Sequence, residues 1–273
     1  MDDEILTIYY LSDELLTAFG HRDHPQCTMS SAEIMTVAIV AVMYYGGNFA
    51  LACRCLHAPQ WMPDMLGKSR FSRRLHRIKG YFLTLFSLLS ISWKEANQGQ
   101  IYNVDTFPIP VCDNIRINRC RLYQEERYRG YKAGKRRYFY GLKLHLLITQ
   151  TGEPVEFFLT PGSTSDVSGL FGFDFDLPEG ATIIADKAYN IYWFEDMLQE
   201  AGIRLLPIRK KNSKRPHEPW ERGLQWLCRQ QVETSGSLID RKLPKSIHAV
   251  TAEGFELKVV LFVLAFSLSY LLR

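Results

Sequence analysis

The period of the hydrophobic pattern changes once along this 273-residue chain, at Ile101, and that change limits the folds open to it. Upstream, from Ser30 to about Ser92, apolar residues recur at the spacing that gives a helix one buried stripe. Downstream they alternate, as in Tyr140, Leu142, Leu144, Leu146 and Ile148, the spacing of a strand with two different faces. A helical first third followed by strands interleaved with helices predicts two units, residues 1–98 and 99–273, the second in the α/β class.

Local signals set the order of elements. Ser30 and Glu33 have the spacing of a capping box and open the helical part. Gly46-Gly47 and the Pro59 to Pro63 stretch divide it into three or four helices, and Ala96 to Gly99 reads as a linker. Strands are expected at Ile101 to Asp105, Tyr138 to Thr149 and Pro154 to Leu159, then a short helix after the turn at Pro161 to Asp166. A strand at Ala181 to Ala185, a helix at Ile191 to Ala201, a strand at Ile203 to Ile208, a helix from about Pro219 to Thr234 and a C-terminal helix complete the series. Three strands, then helices alternating with two more, is the order of a ribonuclease-H-like mixed sheet flanked by helices.

Composition narrows the setting. With 47% hydrophobic and 23% charged residues the chain can bury a core, which excludes a disordered protein. The net charge of +4 is concentrated at residues 70–77, 127–137 and 209–215, local patches that suit a polyanion. Six cysteines without matched pairs exclude a zinc site and a disulfide frame and read as packing residues. No basic segment followed by an apolar run opens the chain, so a cytoplasmic location is expected. Val259 to Leu272, at fourteen residues, falls short of the roughly 20 needed to span a bilayer and reads as a buried core helix.

Three carboxylates stand out. Asp105 ends a run suited to burial, where a carboxylate needs a partner or a metal, or else caps the turn from Thr106 to Pro110. Asp186 follows an apolar strand, where ligand sites of open α/β sheets collect, and where a helix N-cap is equally at home. Glu233 shares a helix face with Trp226 and Arg229, and a surface Arg–Glu pair would account for that alone. Glu218 and Glu221 compete for the third place, though both lie where the helix dipole favours acids. Asp166 reads as a helix cap, and Lys143 with His145 as one strand face, exposed either to solvent or to a ligand.

Taken together, Asn103-Val104-Asp105-Thr106, the segment Tyr140 to His145, the turn Thr160 to Asp166, Ala185-Asp186-Lys187-Ala188-Tyr189, and Arg229 with Glu233 resemble the DDE transposases of bacterial insertion sequences. The resemblance covers residues 100 to 250 and implies a ribonuclease-H-like catalytic domain in which Asp105, Asp186 and Glu233 are catalytic and hold Mg2+, with Mn2+ as a substitute. It implies DNA partners, namely terminal inverted repeats and target DNA, and a homodimer that handles two ends together. Relatives often carry Tyr seven residues before the glutamate and Lys seven after; here Trp226 and Asp240 stand there, with Lys242 just beyond.

The basic segments supply the expected DNA contacts. Lys132, Lys135, Arg136 and Arg137 lie in a loop rich in aromatics and glycine, suited to phosphate contact and base stacking. Lys210 and Lys211 belong to a flexible backbone clamp. Lys143, Trp226, Arg229 and Lys242 complete the set. The expected activity is metal-dependent cleavage at element ends and strand transfer; the rival expectations are a nuclease without strand transfer and an inert DNA-binding regulator.

Overall fold

The structure is a computed structural model that describes residues 2–132, 136–228 and 247–272. It divides into two compact units, residues 1–89 with 240–273, and residues 90–239.

The first unit is helical and built around α2 (Ser31–Tyr45). Ser30 caps α2 and Glu33 returns to the Ser30 backbone, so the expected capping box is present. From Ile34 to Val42 every side chain is buried, because α1 (Asp2–Ala18), α3 (Phe49–Leu56), α4 (Lys68–Arg77) and α9 (Ala252–Leu271) all pack against α2. A helix apolar on all sides is stable only when surrounded in this way. Gly46, at φ 57°, ends α2 in the left-handed conformation that a residue without Cβ adopts at least cost. α4 buries Phe71 and Leu75, and its Arg74 binds Asp23 at 2.5 Å, so this cation is structural. At 20 residues α9 is longer than its sequence suggested and has the length and hydropathy of a membrane span. Most of it is nevertheless buried inside the protein, as expected of a core helix.

The boundary between the units falls within α5 (Lys79–Ala96), after which the second unit forms a six-stranded mixed sheet. Its strands are β1 (Ile101–Asp113), β2 (Arg129–Lys132), β3 (Arg137–Thr149), β4 (Pro154–Pro161), β5 (Thr182–Ala185) and β6 (Arg204–Pro207). β3 pairs antiparallel with β1, β2 and β4, whereas β5 runs parallel to both β1 and β6. One face of the sheet is closed by α6 (Asp166–Leu170), α7 (Tyr192–Glu200) and a core that includes Tyr102, Val104, Leu147, Phe173, Ile183, Phe194 and Leu205. The other face is covered by α8, helical over residues 219–228, through Leu224 and Cys228 on Ile184 and Leu206. The expected mixed α/β sheet flanked by helices, preceded by N-terminal helices, is the observed architecture.

β1 runs well past the expected end at Asp105, through Pro108 and Pro110. Gln100 O accepts from Thr182 N, so even-numbered residues of β1 turn their backbone groups toward β5. β5 pairs with β1 only from Ile101 to Asn103, and among the described residues no strand pairs with that edge further along. Both prolines face this edge, where a missing N–H breaks none of the described ladder bonds.

Candidate active site

Asp105 and Asp186 are brought side by side by the parallel register. Asn103 pairs with Ile184 as the last link between β1 and β5, and two residues further on each strand come Asp105 and Asp186. On β1, Val104 and Thr106 point to the face closed by α6 and α7, so Asp105 takes the opposite face, beneath which Ile184 and Cys228 pack. Asp186 opens the single turn Lys187–Tyr189 but its carboxylate makes no capping bond, so it is not held there as an N-cap side chain. Its side chain is exposed.

The charges around Asp105 are unusual for an acid without a cation. Burial pushes its carboxyl up from 3.8 to about 6; the Thr106 N–H, 2.7 Å from Oδ1, opposes this, and the negative charges of Asp186 and Asp166 add to it. The cap reading is partly right, because Asp105 does accept from Thr106, yet no turn follows. A divalent cation would relieve both the desolvation and the repulsion, so the donor set fits a hard metal that prefers carboxylate oxygens. Among the described residues no three acidic, histidine or cysteine side chains converge into a complete ligand set. Glu233, Arg229, Lys242 and Lys135 lie outside the described residues.

Several neighbouring groups hold other places than the sequence suggested. Ser165, not Asp166, caps α6, through a 3.0 Å bond from Ser168 N. Asp166 instead binds Lys143 Nζ at 2.9 Å, and Lys143 is largely shielded from solvent. Lys143 therefore enters the site as the partner of an acid rather than as an open cation. His145 is fully buried, which overturns the solvated strand face. It stacks on Phe158 at 4.8 Å, and burial pushes its imidazole down to about 4, with Asp166 opposing and Lys143 assisting. The alternation Lys143, Leu144, His145 could not reveal this, because both faces of β3 are covered. Tyr189 is buried as well, and burial drives its phenol far up.

The rivals to the third carboxylate separate. Glu221 is buried and bonded to Arg204 and to Glu218 N, which makes it structural. Trp226, by contrast, is 63% exposed and is not a core residue.

The basic segments differ in their order. Arg209 is taken up by Glu195, and Arg215 by Asp196, while both guanidinium groups sit over the Tyr192 ring at 5.5 and 4.8 Å. The 209–215 segment is thus pinned at both ends rather than a flexible clamp, and it leaves Lys210 and Lys211 exposed. In the β2–β3 hairpin, Arg136 and Arg137 are exposed, Arg137 lies 3.6 Å from Asp113, and Lys132 sits 5.5 Å over the Phe139 ring.

Two aspartates thus lie side by side where adjacent parallel strands of a mixed α/β sheet part, and exposed lysines and arginines stand on the 209–215 segment and the β2–β3 hairpin. The family model described as the transposase DDE domain matches residues 95–239, more than half of the chain, and this chain belongs to that family. Comparison with curated proteins yields no sequence match. In three dimensions the chain is similar to a piggyBac transposase solved by cryo-EM in a synaptic complex with hairpin DNA. The likeness has a TM-score of 0.45 at 11% identity, over 98% of this chain and 71% of that one.

Proposed function

We propose that this chain is an insertion-sequence transposase that cleaves DNA at the element's ends and transfers the freed strand into target DNA. The observation that carries this reading is the placement of Asp105 and Asp186 each two residues beyond the last link between the parallel strands β1 and β5, with the Asp105 carboxyl raised by burial and like charge. The antiparallel β4–β3–β1 half followed by the parallel β5 and β6 supports a ribonuclease-H-like catalytic domain.

Asp105, Asp186 and Glu233 would hold two Mg2+ ions, with Mn2+ as a substitute. When bound, such ions activate an attacking hydroxyl and offset charge on the leaving oxygen. Asp105 contributes a ligand on a rigid central strand, which suits a reaction governed by positioning. Lys210, Lys211, Lys132, Lys135, Arg136 and Arg137 would grip the phosphate backbone, with Arg229 and Lys242 nearer the cleaved bond. Trp226, already exposed, is free to meet a base at the DNA end. The partners are terminal inverted repeats and target DNA, the working state is a homodimer that cuts two ends together, and the setting is the cytoplasm.

The test uses purified protein and end-labelled terminal DNA, with and without Mg2+. Asp105→Asn, Asp186→Asn and Glu233→Gln should each abolish cleavage while DNA binding persists. Near-normal cleavage by any of them removes that residue from the site. Cut but unjoined product points to a nuclease, and binding without cleavage to an inert regulator.

A further inference from the structure

We infer that the hydrogen-bonded chain Tyr189–Thr106–His145–Thr160, buried at Tyr189 and His145, is a positioning device that fixes the separation of Asp105 and Asp186, with His145 held as the neutral Nε2–H tautomer. The inference rests on the metal site proposed above and concerns how that site is held in shape.

Every link is within hydrogen-bond reach. Thr106 Oγ1 lies 3.0 Å from Tyr189 Oη and 3.1 Å from His145 Nδ1, and His145 Nε2 lies 2.8 Å from Thr160 Oγ1. Thr106 is the residue after Asp105, and its N–H binds the Asp105 carboxylate at 2.7 Å. Tyr189 closes the turn that Asp186 opens, and Tyr189 N donates to Asp186 O at 3.1 Å. One hydroxyl thus joins the strand that carries the first acid to the turn that carries the second, at the point where the β1–β5 ladder has stopped.

The direction of the bonds follows from burial. Tyr189 is 2% exposed, and among the described residues its hydroxyl has Thr106 as its side-chain partner. If Thr106 donated to Tyr189, the phenol proton would be left buried without an acceptor, which is costly. Tyr189 therefore donates to Thr106, Thr106 donates to His145 Nδ1, and His145 Nε2–H donates to Thr160. The proton left over is that of Thr160, which is only partly buried and can reach water. The reverse direction moves the unsatisfied proton to the most buried end of the chain.

The imidazole is itself held on three sides. Phe158 stacks on it at an interplanar angle of 10°, Phe173 meets it edge-on, and the α6 backbone rests on it. A Cβ at Gly169 would fall 1.9 Å from His145 Cε1, so the approach is closed to any other residue. The ring cannot turn to exchange its two nitrogens without lifting α6, and this makes it a fixed relay between hydroxyls. Outer groups that orient ligands typically change metal affinity by about 10–100-fold.

Three measurements test this on the full chain. In the metal-free protein, 15N chemical shifts should show His145 as the Nε2–H tautomer, and the Nδ1–H tautomer would overturn the bond direction. Tyr189→Phe and Thr106→Val should each raise the Mg2+ concentration for half-maximal cleavage by about ten-fold. They should also weaken the rise in melting temperature caused by Mn2+; the metal-free melt should be little changed in Tyr189→Phe and lowered in Thr106→Val, where the Tyr189 proton loses its acceptor, and Thr106→Ser should restore both metal responses. Wild-type metal responses in Tyr189→Phe and Thr106→Val, in a protein whose Asp105→Asn variant is inactive, would overturn the positioning role and leave the metal site standing. An active Asp105→Asn would instead overturn the site, and the inference with it.

Discussion

Arg209 and Glu195 meet through two N–H···O bonds of 2.7 Å, with both side chains nearly withdrawn from water. A residue that read as one cation of a DNA clamp is the anchor that seats the clamp on α7. Breaking one partner of a buried, doubly bonded pair leaves the other charge uncompensated, at about 3–5 kcal/mol. Arg209→Ala should therefore lower stability by that order in urea unfolding, with no change in the salt dependence of DNA binding. A stable variant with a shallower salt slope would place Arg209 on the DNA instead.

Lys210 and Lys211, exposed beside that anchor, should behave the opposite way. Neutralising both with Gln should leave the melt unchanged, weaken binding to all DNA sequences alike, and reduce the slope of log affinity against log salt by roughly 0.9 per lost contact. The same change at Arg136 and Arg137 should act in the same manner. Salt titrations with two unrelated duplexes decide this, and an unchanged slope would put the phosphates elsewhere.

Asp105 makes a prediction about pH. Its folded value, about 6, lies above the 3.8 of an unperturbed carboxyl. A raised folded value means that stability is fully present below the unfolded value and is lost as pH rises through the folded one. This group should therefore cost the metal-free protein on the order of 1–3 kcal/mol at neutral pH. Asp105→Asn should be more stable than the parent at about pH 8 and lose that advantage by about pH 3.5. Equal stabilities at both pH values in denaturant melts would mean the carboxyl titrates normally. Added Mn2+ should stabilise the parent and not the variant.

Trp226 is exposed, so Trp226→Ala should leave the melting temperature within the small range of surface changes, about ±0.5 kcal/mol in stability. Cleavage or joining at element ends should nevertheless fall, because stacking on a base is worth ~1–3 kcal/mol. Trp226→Phe should retain much of the activity. Unimpaired end cleavage by the alanine variant would remove the indole from the DNA.

Much of the architecture was legible in the sequence because period reports burial. Ile101 to Asp105, Ala181 to Ala185 and Ile203 to Ile208 read as strands, which put Asp105 and Asp186 at expected strand ends; each had a capping role as an alternative reading, and the resemblance set them together as candidates. β1 beyond Asp105 was not legible: prolines read as a turn, and only the extent of β5 shows that their missing donors fall beyond the stretch it pairs. The partnership of Lys143 with Asp166 depends on β3 passing beneath α6, which no local pattern records. His145 was hidden for a related reason, since the alternation of β3 marks one face as apolar and does not show that the other is covered as well. The basic run from Arg209 to Arg215 looks uniform as a sequence, and only the positions of Glu195, Asp196 and Tyr192 divide its anchors from its free lysines.

The prolines of β1 also act outward. A strand from another chain, seeking to continue the ladder that β5 abandons after Asn103, would find no donor at Pro108 or at Pro110. Two absent hydrogens thus deny a foreign strand two of the bonds it would need to zip along the margin beside Asp105.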